Sequence, residues 1–126
     1  MLALKKFTPD QLEFAIENGE FPGEVRSSAP WVACLTTQSW CPQWVFMRNW
    51  FRRMQEDEES TEGLRIDVYE LEYDKLPNFS QFRAFKEEVW NSWEVPYLRY
   101  YGDGELIDES NFVSTVKFLE IFRRHM

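Results

Sequence analysis

An α/β domain built on one mixed β-sheet, with helices on both faces, is the fold class this sequence predicts. Three observations lead there. Amphipathic helical segments alternate with short apolar or alternating segments through the first two-thirds of the chain. The last third carries a proline-led strand, a Gly-Asp-Gly turn, a returning strand and a final helical segment. The chain has 126 residues, 44% of them hydrophobic, which suits one domain with its own core. Alternating helices and strands imply parallel pairing through right-handed crossovers, and the hairpin then adds an antiparallel pair. One domain over 1–126 is predicted, with no internal repeat.

The elements follow in order. Leu2 to Phe7 reads as a short edge strand. Thr8-Pro9-Asp10-Gln11 opens a helix with a capping residue, a proline at the first helical position and a glutamine that completes a capping box. Leu12, Ala15 and Ile16 share its apolar face, and Asn18-Gly19 ends it. Residues 20–30 lack periodicity and hold two prolines, so they read as a loop. Trp31 to Thr37 is a short β-branched apolar run, the pattern of a strand buried on both faces. A helix from about Pro42 to Gln55 buries Trp44, Met47, Phe51 and Met54, with Arg48, Arg52 and Arg53 on or beside its wet face. The acidic run from Glu56 to Glu62 reads as a solvated connector.

Leu64, Ile66 and Val68 alternate with charged residues, as in a strand. Asn78 reads as the cap of a helix over 79–91 whose apolar face is Phe82, Phe85 and Val89. Val95 to Tyr101 reads as a strand entered through Pro96. Gly102-Asp103-Gly104 is the turn, with both glycines expected at positive φ, and Glu105 to Ile107 is the return. A helix of about fifteen residues from Ser110 is expected to bury Phe112, Val116, Leu119 and Phe122.

Charge excludes some function classes. The net charge of -8 is the wrong sign for nucleic acid, whose phosphates need clustered Lys and Arg, and for an anionic membrane surface. No run approaches the ~18 apolar residues of a membrane span. The first residues place lysines after the apolar stretch, the reverse of a secretory signal, so a reducing, cytoplasmic setting is expected. No Gly-rich phosphate loop supports a nucleotide cofactor. Two cysteines and a lone histidine, His125, do not assemble a zinc site, so no metal is expected.

The stretch that carries chemistry is Trp40-Cys41-Pro42-Gln43-Trp44. It sets a thiol where a strand ends and a helix begins. Unpaired N–H groups and the dipole at a helix start stabilise negative charge, and such positions lower a thiol's pKa from about 8.5 to roughly 3.5–7.5. Cys34, inside the apolar run, reads as a small buried hydrophobe. An intervening extended strand would hold the two sulfurs too far apart for a disulfide.

Three features together resemble the thioredoxin superfamily over nearly the whole chain: strand–Trp40-Cys41–helix, Val95-Pro96 heading a strand about fifty-five residues later, and the Tyr-Tyr-Gly-Asp-Gly-Glu hairpin before a terminal helix. The resemblance implies a thioredoxin-like fold. It implies that Cys41 is the reactive residue, that Pro96 is a cis-proline beside it, and that the Val95 backbone meets a bound peptide or glutathione. Trp40 and Pro42 would shape the site. Cys-Pro looks like glutaredoxins and tryparedoxins, whereas Trp40 looks like thioredoxin. The Gly-Gly-Asp signature of glutaredoxins is replaced by Leu106-Ile107-Asp108-Glu109.

Two departures fall on the same half of the thioredoxin mechanism. Trp44 stands where the resolving thiol would be, and Leu35 where thioredoxins keep a buried aspartate. The resemblance therefore implies one active thiol, exchanging with a protein disulfide or accepting a glutathionyl group, with glutathione as a co-substrate. The alternative is a non-enzymatic binding module that has lost redox activity.

Overall fold

A computed structural model describes all of residues 1–126. Five strands form one sheet in the order β1-β3-β2-β4-β5. They are β1 (Leu2–Lys6), β2 (Trp31–Thr37), β3 (Ile66–Glu72), β4 (Tyr97–Gly102) and β5 (Glu105–Ser110). β3 pairs in parallel with both β1 and β2, while β4 runs antiparallel to β2 and β5. The expected mixed sheet is thus present, with the β2 run at its centre and Leu2–Lys6 at one edge. Five α-helices, α1 (Pro9–Asn18), α2 (Gly23–Arg26), α3 (Pro42–Glu56), α4 (Phe79–Glu88) and α5 (Thr115–Arg123), and two short 3-10 turns (Glu58–Thr61 and Tyr73–Lys75) complete the chain.

Two cores sit on the two faces of the sheet. One packs α3 and α5 against Ala33, Leu35, Val68 and Tyr100. The other packs α1 and α4 against Val32, Cys34, Tyr69 and Tyr101. Successive strand residues point to opposite faces, which is why neighbours such as Ala33 and Cys34 join different cores. Aromatic packing dominates the first core. Trp50, Phe51, Tyr100 and Phe122 all meet Phe118 with ring centroids 5.3–5.9 Å apart.

Local signals placed most boundaries. The Thr8 side chain accepts from the Gln11 amide while the Gln11 side chain accepts from the Thr8 amide, closing the capping box. Gly19 ends α1 at φ 79. Four expectations need correction. The 20–30 loop contains the single turn α2. Asn78 makes no side-chain cap, and α4 stops at Glu88, so Val89 lies beyond the helix and is exposed. α5 begins at Thr115, capped by the Ser114 hydroxyl, because residues up to Ser110 are claimed by pairing with β4. Phe112 and Val116 are consequently exposed, and Phe118, Leu119, Ile121 and Phe122 fill the core.

The hairpin turn also differs. Positive φ falls on Asp103 and Gly104, the two central residues, as a two-residue turn of this hand requires. Gly102 is needed for a different reason. A Cβ there would stand 2.7 Å from the Trp31 ring.

Glu70 is a buried carboxylate on β3, in register with Lys6 and Leu35, and its Oε2 has no hydrogen-bond partner. Burial raises its pKa, against the pull of Lys6, Arg52 and Arg48. A carboxyl whose folded pKa is raised contributes stability below the unfolded value of about 4.3 and loses it as pH rises through the folded value. Glu70→Gln is therefore expected to remove a decline of stability that begins as pH rises past about 4.3. Urea midpoints of both proteins between pH 4 and 7 test this. Parallel curves would contradict it.

Candidate functional site

Cys41 is the N-cap of α3, with extended backbone (φ -70°, ψ 118°), and Pro42 follows at the first helical position. Its amide donates to the Gln38 carbonyl at 3.1 Å and its carbonyl accepts from the Val45 amide at 3.2 Å. The Val95-Pro96 peptide bond is cis. The Cys41 Sγ lies 3.8 Å from the Val95 carbonyl oxygen, close enough for a weak thiol hydrogen bond. The structure thus brings Cys41 and Val95 together, with Pro96 buried just beyond and Pro42 exposed on the helix start. Cys41 itself is 3% exposed.

A groove of about 380 Å³ runs beside this pair, bordered by Trp40, Gln43, Trp93, Glu94 and Val95. Its two indoles are the most exposed in the chain, Trp40 at 64% and Trp93 at 67%. Both are nevertheless tied. The Trp40 indole N–H donates to Gln38 Oε1 at 2.7 Å, and that of Trp93 to Asn91 Oδ1 at 3.3 Å. Each ring is held by an amide two residues earlier, so its faces are free while its orientation is fixed.

Three supports of this site escaped the sequence reading. Asp74 accepts from the Ser39 amide at 2.8 Å and from its hydroxyl at 2.5 Å, fixing the loop that carries Trp40. Burial would raise the Asp74 pKa, but the Ser39 hydrogen bonds outweigh it and the net direction is down. Glu72 accepts from the Trp44 indole at 2.8 Å and pairs with Lys75 at 2.9 Å. These bonds overcome burial and lower its pKa. Lys86, 1% exposed, donates to the carbonyls of Ser92 at 3.1 Å and Glu94 at 2.9 Å, clamping the loop that delivers Val95. Its signal was present. Phe82, Phe85, Lys86 and Val89 form an i, i+3, i+4, i+7 set, and lysine occupies one of the inward positions.

The other singled-out residues fall elsewhere. Trp44 is buried beneath the site and offers no thiol, and Leu35 is buried in the same core. Arg48 is half-buried, beside the wet face as expected. Its guanidinium stands 6.0 Å from the Trp44 ring and 4.0 Å from Glu72. Cys34 is free and buried in the opposite core, where burial and the Glu20 charge push its thiol pKa up. It therefore cannot act as the resolving partner of Cys41. His125 is exposed near the end of α5, its Nδ1 2.9 Å from the Ile121 carbonyl, and has no place in the site.

What this arrangement can do chemically is bounded. It consists of one buried thiol against the Val95 carbonyl and two exposed indoles of fixed orientation. No second thiol adjoins Cys41. No helix is long and apolar enough to cross a membrane.

No known family profile and no curated protein matches the sequence. Solved structures do match. Thioredoxin f from spinach chloroplast is similar over 97% of this chain and 92% of its own, with TM-score 0.64 and 14% identity. Thioredoxin O1 from Arabidopsis thaliana, in the oxidized state, is similar over 98% and 96%, with TM-score 0.61 and 14% identity. The reduced thioredoxin pre-protein of Schistosoma mansoni is similar over 99% and 98%, with TM-score 0.58 and 15% identity. At such identities the likeness speaks for architecture, and on that ground the chain has the fold of the thioredoxin superfamily.

Proposed function

We propose that this chain is a thioredoxin-like protein that exchanges thiols and disulfides through a single sulfur, that of Cys41. The observation that carries the reading is the Cys41 thiol at the N-cap of α3, 3.8 Å from the Val95 carbonyl and beside the groove of Trp40 and Trp93. The Cys41 thiolate attacks one sulfur of a disulfide. A Cys41–S–S bond forms, the original S–S bond breaks, and the departing thiolate takes a proton from water. With Trp44 in place of a second thiol, an external thiol such as glutathione then attacks the mixed disulfide and frees Cys41. Trp40, Pro42, Val95 and Pro96 shape the site, and the Val95 main chain meets the bound segment. The setting is a reducing compartment such as the cytoplasm. A protein disulfide or oxidised glutathione is the partner, and no resident cofactor is required.

The test is intact-mass analysis of the reduced chain after exposure to oxidised glutathione. One glutathione per chain on Cys41 is expected. Cys34→Ser should not change it, and Cys41→Ser should abolish it. A wild-type chain that takes up no glutathione would overturn the proposal.

A second reading, a binding module without redox activity, is favoured by the 3% exposure of Cys41. In-line attack on a disulfide needs open space at sulfur, and the buried Cys41 thiol has little. A partner captured equally by wild type and Cys41→Ser would support this reading.

A further inference from the structure

The molecule has a second concavity, in the layer of α1 and α4, that the thiol site does not use. It measures about 420 Å³, within the range of ligand pockets. Phe7, Leu12, Leu71 and Leu76 give it an apolar floor, and Glu13 and Glu17 of α1 line it as well. Leu12 and Leu71 belong to the second core, so the floor is continuous with packed interior.

Its electrostatics are one-sided. No lysine or arginine lines the pocket, and neither glutamate takes part in an ion pair. Glu13 and Glu17 are one helical turn apart, where like charges repel each other. The thiol groove differs, since Arg83 lies along it and pairs with Glu87. An apolar floor beside two unneutralised carboxylates fits an apolar side chain with a cation close by. A net charge of -8 draws such a partner from a distance.

We propose that this pocket docks a basic amphipathic segment of a partner protein. The apolar side chains of the segment fill the floor, and its Lys or Arg residues meet Glu13 and Glu17. The proposal does not depend on the chemistry of Cys41, so either can fail alone.

The test uses the whole chain and three synthetic peptides of equal length: Leu/Lys, Leu/Glu and Ser/Lys. Calorimetric titration is expected to show binding of the Leu/Lys peptide only. The variant Glu13→Gln/Glu17→Gln is expected to weaken it at least fivefold. A control variant, Glu58→Gln/Glu59→Gln, removes the same two negative charges elsewhere on the surface and should leave affinity unchanged. Hydrogen-exchange protection should centre on α1 and residues 76–81. Equal weakening by both variants, or equal binding of the Ser/Lys peptide, would mean attraction by net charge alone and overturn the proposal. Binding of dodecylammonium with all peptides silent would assign the pocket to small amphiphiles and overturn it too. Cys41→Ser should bind the peptide like wild type.

Discussion

Replacing Arg99 with leucine is expected to destabilise the fold by about 3 kcal/mol, the lower end of what removing one partner of a buried ion pair costs. Arg99 lies on β4 and is 6% exposed. Its guanidinium donates to Glu20 at 2.7 Å, to the Tyr97 hydroxyl at 2.9 Å and to the Tyr101 hydroxyl at 3.0 Å. It also covers the Trp90 ring, 4.5 Å from its centroid. Leucine fills part of the volume but satisfies none of these acceptors. Glu20 keeps some contact with water, which places the loss at the lower end of the range. Arg99→Lys should lose less, since a lysine keeps the charge but not the three-way fork. Urea unfolding of the three proteins measures both values, and a loss under about 1 kcal/mol for Arg99→Leu, the scale of an exposed pair, would refute the account.

Lys86→Met is expected to act on motion more than on global stability. The ammonium loses its hydration on burial, which lowers its pKa to about 8 even though Glu87 and Glu94 pull it up. The unfolded lysine titrates near 10.4. Between these values the unfolded chain holds a proton that the folded chain has released, so this group makes stability rise with pH across that window. Methionine removes the rise. At pH 7 it also removes a desolvated charge, and global stability should stay near or above wild type. The carbonyls of Ser92 and Glu94, however, lose a charged donor. Such a hydrogen bond contributes roughly 1.5–3 kcal/mol, so exchange of the backbone amides in residues 91–95 should speed at least about tenfold. Alkylation of Cys41 should speed with it, because the Val95 carbonyl lies against the sulfur. Exchange rates equal to wild type would show that the clamp is idle.

The sequence made the frame of the molecule legible and left much of the site hidden, for one physical reason. Capping and periodicity act within a few residues, so the Thr8–Gln11 box, the β2 run and the Trp44-Met47-Phe51-Met54 stripe could be recognised before any coordinates. The resemblance set Pro96 beside Cys41, whereas the contact of Cys41 with the Val95 carbonyl was not foreseen, because nothing local joins residues 54 positions apart. Asp74 on Ser39, Glu72 on Trp44 and Lys86 on Glu94 are bonds made by the fold, with no periodic signature. The late start of α5 has the same origin. Pairing with β4 held residues up to Ser110 in a strand, although Phe112 and Val116 continued a helical pattern.

Cys34 and Cys41 occupy opposite sides of the sheet, and both are free. An oxidant therefore finds no internal pair to close. Any sulfur that is oxidised in the native molecule must gain atoms, from oxygen, from a small thiol or from another polypeptide. Weighing the molecule thus reports its redox history, where a protein with a closable pair would show only the loss of two hydrogens.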